Sequence, residues 1–172
     1  MNGQAALHLP TLQGLPPAIG LACRLLVLGS FPGAASLQAQ QYYGHPRNHF
    51  WPLVGTILEL DLVAMPYVQR LALVQSRGLG LWDVYAACQR SGSLDANIRQ
   101  AVLNDLTSLL QRAPALRLIA HNGGESAGAR RHTEALQLPV LRLPSSSPAN
   151  ASWSFDSKLQ AWRAAFQQAG LV

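Results

Sequence analysis

The sequence predicts an α/β fold in which a short parallel sheet carries helices on both faces. Four short apolar runs, at residues 24–28, 80–85, 116–120 and 139–143, have the length and composition of buried strands. Segments with helical spacing lie between these runs and after the last one. Because a helix that connects two parallel strands packs on a face of their sheet, the alternation predicts helices on both sides.

The first half of the chain contains a lead-in, one strand and two helices. Residues 1–22 are rich in Pro and Gly and predict a loose lead-in with at most one helical turn. Residues 48–60 have helical spacing, and Pro52 fits only the first turn, so this helix begins close to Asn48. A second helix begins at Pro66 and ends before Gly78.

The second half predicts short helices at residues 104–112 and 125–136, on either side of the third strand. A longer amphipathic helix follows the fourth strand and ends at Gly170, with Lys158 expected near its solvent face. Its apolar side chains recur at steps of three and four: Phe155, Leu159, Trp162, Phe166 and Ala169. With no repeat or change of composition, we expect one domain over residues 1–172.

The composition indicates a soluble protein with an affinity for polyanions. Apolar residues make up 49% of the 172, and the net charge is +5, with Lys158 the single Lys among 13 basic residues. A basic surface attracts nucleic acids, although an Arg-rich composition can also reflect genome base content. Cys23 and Cys88 belong to no C-x-x-C pair and suit a reducing compartment. We expect a cytoplasmic monomer that works at the nucleoid, with no secretory leader and no membrane contact.

Residues 42–51, which read YYGHPRNHFW, are the most informative segment of the chain. Tyr42 and Tyr43 lie outside the helical periodicity and are candidates for base stacking or phosphate contact, whereas Phe50 and Trp51 fit the buried stripe. Asn48 either caps the helix that follows or holds a water molecule near a reacting carbon. The stretch therefore indicates chemistry on a nucleic acid.

The loops beyond the carboxyl ends of the strands should form the binding crevice of such a sheet, and they are predicted at residues 29–48, 83–97, 121–125 and 143–153. In residues 29–33, Ser30 and backbone amides face a ligand and Phe31 stacks on a flat ring, unless the segment is only a turn. Asp83 is either a buried hydrogen-bonded carboxylate or a polar member of the pocket. Asn122 either reads a base edge or belongs to an ordinary turn, and Asp95 is interpreted as a turn cap.

The loop at residues 143–150 contains two Pro and three consecutive Ser. It is either a flexible polar connection or a stiffened tip that binds phosphates and enters a duplex in place of a displaced base. Three other chemistries are disfavoured. His and Cys show no metal-ligand spacing, no Gly-x-Ser-x-Gly elbow is present, and Lys158 is poorly placed for a Schiff base. No metal or cofactor is expected.

Taken together, the motifs at residues 29–33, 42–51, 80–84, 93–95, 122–123 and 143–150 resemble the uracil-DNA glycosylase superfamily, and within it the hypoxanthine-DNA (DNA-deoxyinosine) glycosylase branch. The resemblance implies a three-layer α/β/α sandwich with a short four-stranded parallel sheet. It also implies DNA containing a deaminated base as the partner and hydrolysis of the N-glycosidic bond without a cofactor.

The resemblance carries over to individual residues. It implies that Asn48 is the catalytic residue that positions the attacking water. The base pocket is expected to contain Gly29, Ser30, Phe31, Tyr43, Asp83 and Asn122. The DNA-binding surface is expected to contain Pro32, Tyr42, His45, Arg47, Ser145, Ser146, Ser147, Pro148, Ala149 and Asn150.

Two positions depart from the uracil-cleaving relatives. The first motif carries Ser30 and Phe31 where those enzymes have Asp or Asn, and Leu143 stands where many of them have His. Leu143 argues against efficient uracil excision, whereas the missing first-motif acid motivates the alternative of a non-catalytic domain, unless Asn48 takes its role. The alternatives are a glycosylase for uracil, xanthine or a mismatch, and a lesion-binding domain without catalysis on the same fold.

Overall fold

A parallel four-stranded sheet forms the centre of the molecule, as seen in a computed structural model that describes residues 8–172. The strands are β1 Thr11–Gln13, β2 Leu25–Gly29, β3 Leu79–Asp83, β4 Tyr85–Gln89, β5 Arg99–Leu103, β6 Leu118–Asn122 and β7 Val140–Leu143. The sheet has the order β3-β2-β6-β7, and all its pairs are parallel. These are the four strands that the apolar runs predicted.

Seven α-helices surround the strands within the described part of the chain. They are α1 Ala34–Ala39, α2 Phe50–Leu58, α3 Tyr67–Ser76, α4 Leu109–Arg112, α5 Gly124–Ala127, α6 Arg130–Glu134 and α7 Phe155–Ala169. The long α7 ends at Gly170, whose φ of 74° is a left-handed conformation that suits Gly. The predicted 125–136 helix is two short helices, and a 3-10 turn at Leu106–Ser108 replaces the start of the predicted 104–112 helix.

Alternate side chains of β2 enter two separate apolar cores. Leu25 and Val27 pack with residues of α2 and α7 on one face of the sheet. Leu26 and Leu28 pack on the other face with Leu109 of α4. Because a strand presents successive side chains to opposite faces, each face needs its own covering layer. The three-layer α/β/α sandwich predicted from the sequence is confirmed.

A second, antiparallel sheet in the order β1-β4-β5 was not predicted. Part of the supposed lead-in is strand β1, which pairs Thr11 with Gln89, and Ala18 forms a bridge with Leu81. Strand β4 lies in the predicted 83–97 loop and is separated from β3 by Val84 alone. Strand β5 is exposed along its whole length, so it lacks the apolar alternation that identifies a strand in a sequence.

Lys158 is the clearest correction to the predicted helices. Its side chain is only 1% exposed, and Nζ lies 3.3 Å from Nδ1 of His49. Lys158 stands three residues after Phe155 and four before Trp162, so its spacing places it on the buried face of α7. The prediction of a solvent-facing side chain followed the charge of Lys158 and ignored this spacing.

Within residues 8–172, no helix combines the length and the apolar composition that crossing a bilayer requires.

Candidate active site

A cleft of about 820 Å³ opens at the carboxyl edge of the parallel sheet. Its walls come from the segments after β2, β3, β6 and β7, where a parallel sheet usually places its ligand site. The volume falls within the roughly 300–1,000 Å³ range of small-molecule sites. Of the residues predicted to bind the base, the water or DNA, all except Arg47 line this cleft.

The floor of the cleft is set by the register of β2 and β3. These strands pair Gly29 directly with Asp83, at the last residue of each. A Cβ atom on Gly29 would overlap Oδ1 of Asp83, so only Gly allows the carboxyl group this position. Asp83 is 5% exposed, and its Oδ2 is buried without a hydrogen-bond partner.

The carboxyl group of Asp83 is strongly perturbed. Burial, and then the nearby Asp95 carboxylate, raise its pKa to about 7, while Arg90 acts in the opposite direction. Removing a carboxyl group from water disfavours its charged form, which explains the main effect. Near neutral pH, Asp83 is therefore present in both the neutral and the ionised form.

Two aromatic side chains shape the walls. Phe31 is 6% exposed, and the guanidinium carbon of Arg90 lies 5.2 Å from its ring centroid. Tyr43 adopts a left-handed φ of 54°, and its ring stacks on Phe50 at a centroid distance of 3.9 Å. Non-Gly residues in this conformation are uncommon and often occur at functional sites, where packing holds them in place.

Asn48 both supports the start of α2 and lines the cleft. Its Oδ1 accepts a hydrogen bond of 2.9 Å from the backbone N–H of Phe50, while the side chain remains partly exposed. The N-cap residue itself is His49, whose side chain makes no cap bond, so Asn48 lies one residue earlier and satisfies the first amide of the helix, while its water-binding role stays a prediction. A carbonyl oxygen has two lone pairs, so the cap bond orients the carboxamide and leaves it able to bind a water molecule.

Asn122 braces the loop that follows β7. Its Nδ2 donates to the hydroxyl of Tyr43 at 3.2 Å and to Oγ of Ser146 at 2.9 Å, and its Oδ1 accepts from the Ser146 N–H at 2.9 Å. Both amide hydrogens are thus used inside the protein. Asn122 therefore has a structural function, joining β6 to the loop and to Tyr43, and its contact with a base edge stays a prediction.

The 143–150 loop is rigid at its base and exposed at its tip. Ser146 is 0% exposed, and its carbonyl accepts from the His49 N–H at 2.9 Å. The carbonyl of Pro144 accepts from Nε1 of Trp162 at 3.0 Å. Pro148 and Ala149 form the exposed tip. The loop is therefore a supported projection rather than a flexible connection.

Three residues predicted to contact DNA are largely buried, although they line the cleft. Tyr42 is 5% exposed and donates its hydroxyl to the carbonyl of Pro16 at 2.7 Å. Pro32 and Ser146 are also buried. Their packing helps to hold the cleft in shape, and their contact with DNA stays a prediction. Arg47 is exposed but lies outside the cleft lining.

Two polar residues that line the cleft were not predicted from the sequence. Asp95, interpreted as a turn cap, lines the cleft and accepts a 2.6 Å hydrogen bond from the hydroxyl of Ser30. Arg142 is exposed and also lines the cleft. Its position in β7, one residue before the loop, was the sequence feature that could have identified Arg142. Across the described residues, His, Cys, Asp and Glu form no group of three positioned to bind a metal ion.

The fold and the cleft define a class: an α/β/α sandwich whose site lies beyond one edge of a four-stranded parallel sheet. Comparison with known families gives this class a name. The family model described as "Uracil DNA glycosylase superfamily" matches residues 16–167. The chain belongs to the uracil DNA glycosylase superfamily, and the resemblance inferred from its motifs is confirmed.

Two curated relatives carry a more specific name than the superfamily. The chain is 38% identical over 156 residues to a protein named hypoxanthine DNA glycosylase from Methanosarcina barkeri, covering 91% of this chain and 98% of the relative. A protein of the same name from Methanosarcina acetivorans is 36% identical over 155 residues, covering 90% and 98%. A solution NMR structure of a putative uracil DNA glycosylase from Methanosarcina acetivorans superimposes with a TM-score of 0.84 at 35% identity, covering 93% of this chain and 99% of that one.

Proposed function

We propose that this protein is a DNA glycosylase that removes a deaminated base, with hypoxanthine as its main substrate, and leaves an abasic site. The observation that carries the proposal is the convergence in one cleft of the Asn48 carboxamide, the Phe31 ring and the unpartnered Asp83 carboxyl group. The relatives named hypoxanthine DNA glycosylase support the same substrate.

The target nucleotide has to leave the duplex before it can react. A base within the stack is inaccessible, so the nucleotide swings out into the cleft, and a mispaired hypoxanthine costs less to extrude than a paired base. Phe31 then stacks on the purine, and the exposed tip at Pro148 and Ala149 fills the gap in the duplex. Arg47 and Arg142 are exposed cations that neutralise nearby phosphates.

Asn48 positions the attacking water. The hydrogen bond from the Phe50 N–H fixes the orientation of the Asn48 carboxamide, and the residue lines the cleft. A neutral carboxamide is a poor base, so holding the water at the anomeric carbon supplies most of its contribution. The sugar develops positive charge as the base departs, which makes the carbon receptive to a positioned water.

Leu143 bears on the choice of base. Its side chain is 3% exposed and packs in the core, so it offers no hydrogen-bond donor to a departing pyrimidine. The cleft instead offers a carboxyl group, Asp83, on its floor. This difference favours a purine substrate, and we expect uracil to be excised more slowly than hypoxanthine.

Replacing Asn48 by Ala tests the proposal. We expect the single-turnover rate of hypoxanthine release to fall by about 10²–10³-fold, as for other lost positioning groups. Binding to the same duplex should change little. The rate is measured with protein in excess over a duplex containing one deoxyinosine.

A matched control separates catalysis from helix stability. Ser154→Ala removes the oxygen that accepts from the Ser157 N–H at 3.1 Å at the start of α7, so each variant loses one capping bond. Either loss costs about 1 kcal/mol. We expect Ser154→Ala to keep the wild-type rate. Equal rates for wild type and Asn48→Ala would refute the assignment of Asn48.

A panel of duplexes, each with a single hypoxanthine, uracil or xanthine, decides among the candidate substrates. Faster release of uracil than of hypoxanthine would overturn the proposed base. Tight binding to deoxyinosine DNA without any base release would identify a lesion-binding protein instead of an enzyme. We expect the protein to act as a monomer on DNA.

A further inference from the structure

Asp83 is held rigidly at the bottom of the cleft. Its backbone pairs with Gly29 in the sheet, and its carbonyl accepts a 2.8 Å hydrogen bond from Nδ2 of Asn104. The side chain is 5% exposed and lines the cleft, and Oδ2 has no hydrogen-bond partner. Since buried polar groups almost always have partners, an unpartnered carboxyl oxygen on a side chain that lines a cleft indicates that a ligand completes its contacts.

Most polar groups around Asp83 are engaged elsewhere. Arg90 donates from Nε and Nη2 to the carbonyls of Gly92 and Pro32 while its Nη1 is buried without a partner, and Asn122 uses both amide hydrogens on Tyr43 and Ser146. Among the described residues, no hydrogen bond or ion pair reaches the Asp83 carboxyl group. The other carboxyl group that lines the cleft, Asp95, accepts from the Ser30 hydroxyl, so Asp83 is the one without such a bond.

A departing purine needs a proton. When the N-glycosidic bond breaks, its electron pair stays on the base, and a proton on a ring nitrogen removes the resulting negative charge. A neutral carboxyl group in a cleft is well suited to supply that proton. We propose that Asp83, in its neutral form, transfers its proton to a ring nitrogen of the departing purine, an inference that rests on the glycosylase activity proposed above.

The proposed step is balanced. The C1′–N9 bond breaks and both of its electrons go to the purine. The O–H bond of Asp83 breaks and an N–H bond forms on the base. The oxygen of the Asn48-bound water forms a bond to C1′, and the proton that this water loses passes to solvent, from which Asp83 is protonated again. Asp83 thus acts on the purine and Asn48 on the sugar, the two groups that the C1′–N9 bond joins.

The surroundings of Asp83 keep its proton available near neutral pH. Burial and the Asp95 carboxylate raise its pKa, to about 7, against the opposing effect of Arg90. The other titratable groups facing it are the hydroxyls of Tyr42 and Tyr43, whose pKa values are raised by burial, so both stay neutral. We therefore expect the rate of base release to fall as pH rises through about 7.

Asp83→Asn tests the inference, because Asn keeps the size and the hydrogen-bonding capacity of Asp but has no acidic proton. Single-turnover rates on a deoxyinosine duplex are measured between about pH 5.5 and 8.5 for wild type and variant. Binding is measured with a duplex carrying non-hydrolysable 2′-fluoro-2′-deoxyinosine. Asp61→Asn, an exposed acid remote from the cleft, is the matched control.

We expect Asp83→Asn to lower the rate at pH 6 by about 10²-fold or more, the scale of general acid catalysis, and to abolish the fall of the rate above pH 7. Binding should stay within about threefold of wild type, since the amide still hydrogen-bonds a base. Asp61→Asn should match wild type throughout.

Three results would overturn the inference. One is an unchanged rate in Asp83→Asn. Another is a slower variant that retains the wild-type pH profile. The third is a loss of binding as large as the loss of rate, which would make Asp83 a recognition group. If wild type itself released no hypoxanthine at any pH, the proposed function would fail first, and this inference with it.

Discussion

Asp83→Asn should stabilise the folded protein at neutral pH but not in acid. The carboxyl group of Asp83 is 5% exposed, and its Oδ2 has no partner, so ionising it inside the protein is unfavourable. An Asn side chain has the same shape and carries no charge at any pH. The benefit of the substitution should therefore appear as pH rises above the ordinary pKa of Asp, where the unfolded wild type gains free energy by ionising Asp83 and the folded protein does not.

The size of the effect follows from the pKa of Asp83, which is raised from 3.8 to about 7. The folded state holds the proton more tightly than the unfolded state, so the contribution of Asp83 to stability is complete below about pH 4 and is lost as pH rises from there through about 7. Each unit of pKa is worth about 1.4 kcal/mol, and three units give an upper value of about 4 kcal/mol. Relaxation of the protein around the charge reduces this value, so we expect Asp83→Asn to raise the free energy of unfolding at neutral pH by about 2–4 kcal/mol.

The difference in free energy of unfolding between wild type and Asp83→Asn is measured by urea unfolding at a series of pH values. Subtracting the two free energies of unfolding cancels the other titrating groups, including His121 and Lys158, which both proteins share. The difference should grow in favour of the variant from pH 4 to pH 7 and then stay level. A difference that remains constant over this range would refute the raised pKa.

Two further substitutions test the packing around the cleft. Gly29→Ala should destabilise the protein by about 1–3 kcal/mol and reduce base release, because the new methyl group overlaps Oδ1 of Asp83; normal stability in thermal unfolding would contradict this. Lys158→Met should leave the protein as stable as wild type or more stable by about 1 kcal/mol, because it replaces a buried cation that has only His49 within reach. A loss of more than 1 kcal/mol in urea unfolding would show that the contact with His49 is stabilising.

The central sheet could be predicted because each of its strands is an uninterrupted apolar run. Leu25 to Leu28 are buried on both faces, so their sequence carries no polar alternation and is easily recognised. Strand β5 shows the opposite case, since Arg99 to Leu103 are all exposed and pair only along an edge. Its hydrogen bonds come from the backbone, which leaves no pattern in the side chains.

The residues around the candidate site could be predicted as a group, but their individual contacts could not. The sequence offered two interpretations of Asn48, and the structure places this residue both at the start of α2 and in the cleft lining. It offered Asn122 and Asp83 as equivalent pocket residues. In the fold, Asn122 is saturated by Tyr43 and Ser146, whereas Asp83 has no partner.

The layered architecture, the family and the gathering of the loops at one edge of the sheet follow from the sequence, because hydrophobic periodicity and motif order are local properties of the chain. The fold was needed to show that Tyr42 turns inward to Pro16 and that Asp83 lies beside Gly29 with an unpartnered Oδ2. The physical reason is that a hydrogen bond, a desolvated charge or a close contact depends on which distant segments meet. That pairing is fixed only when the strands adopt their register.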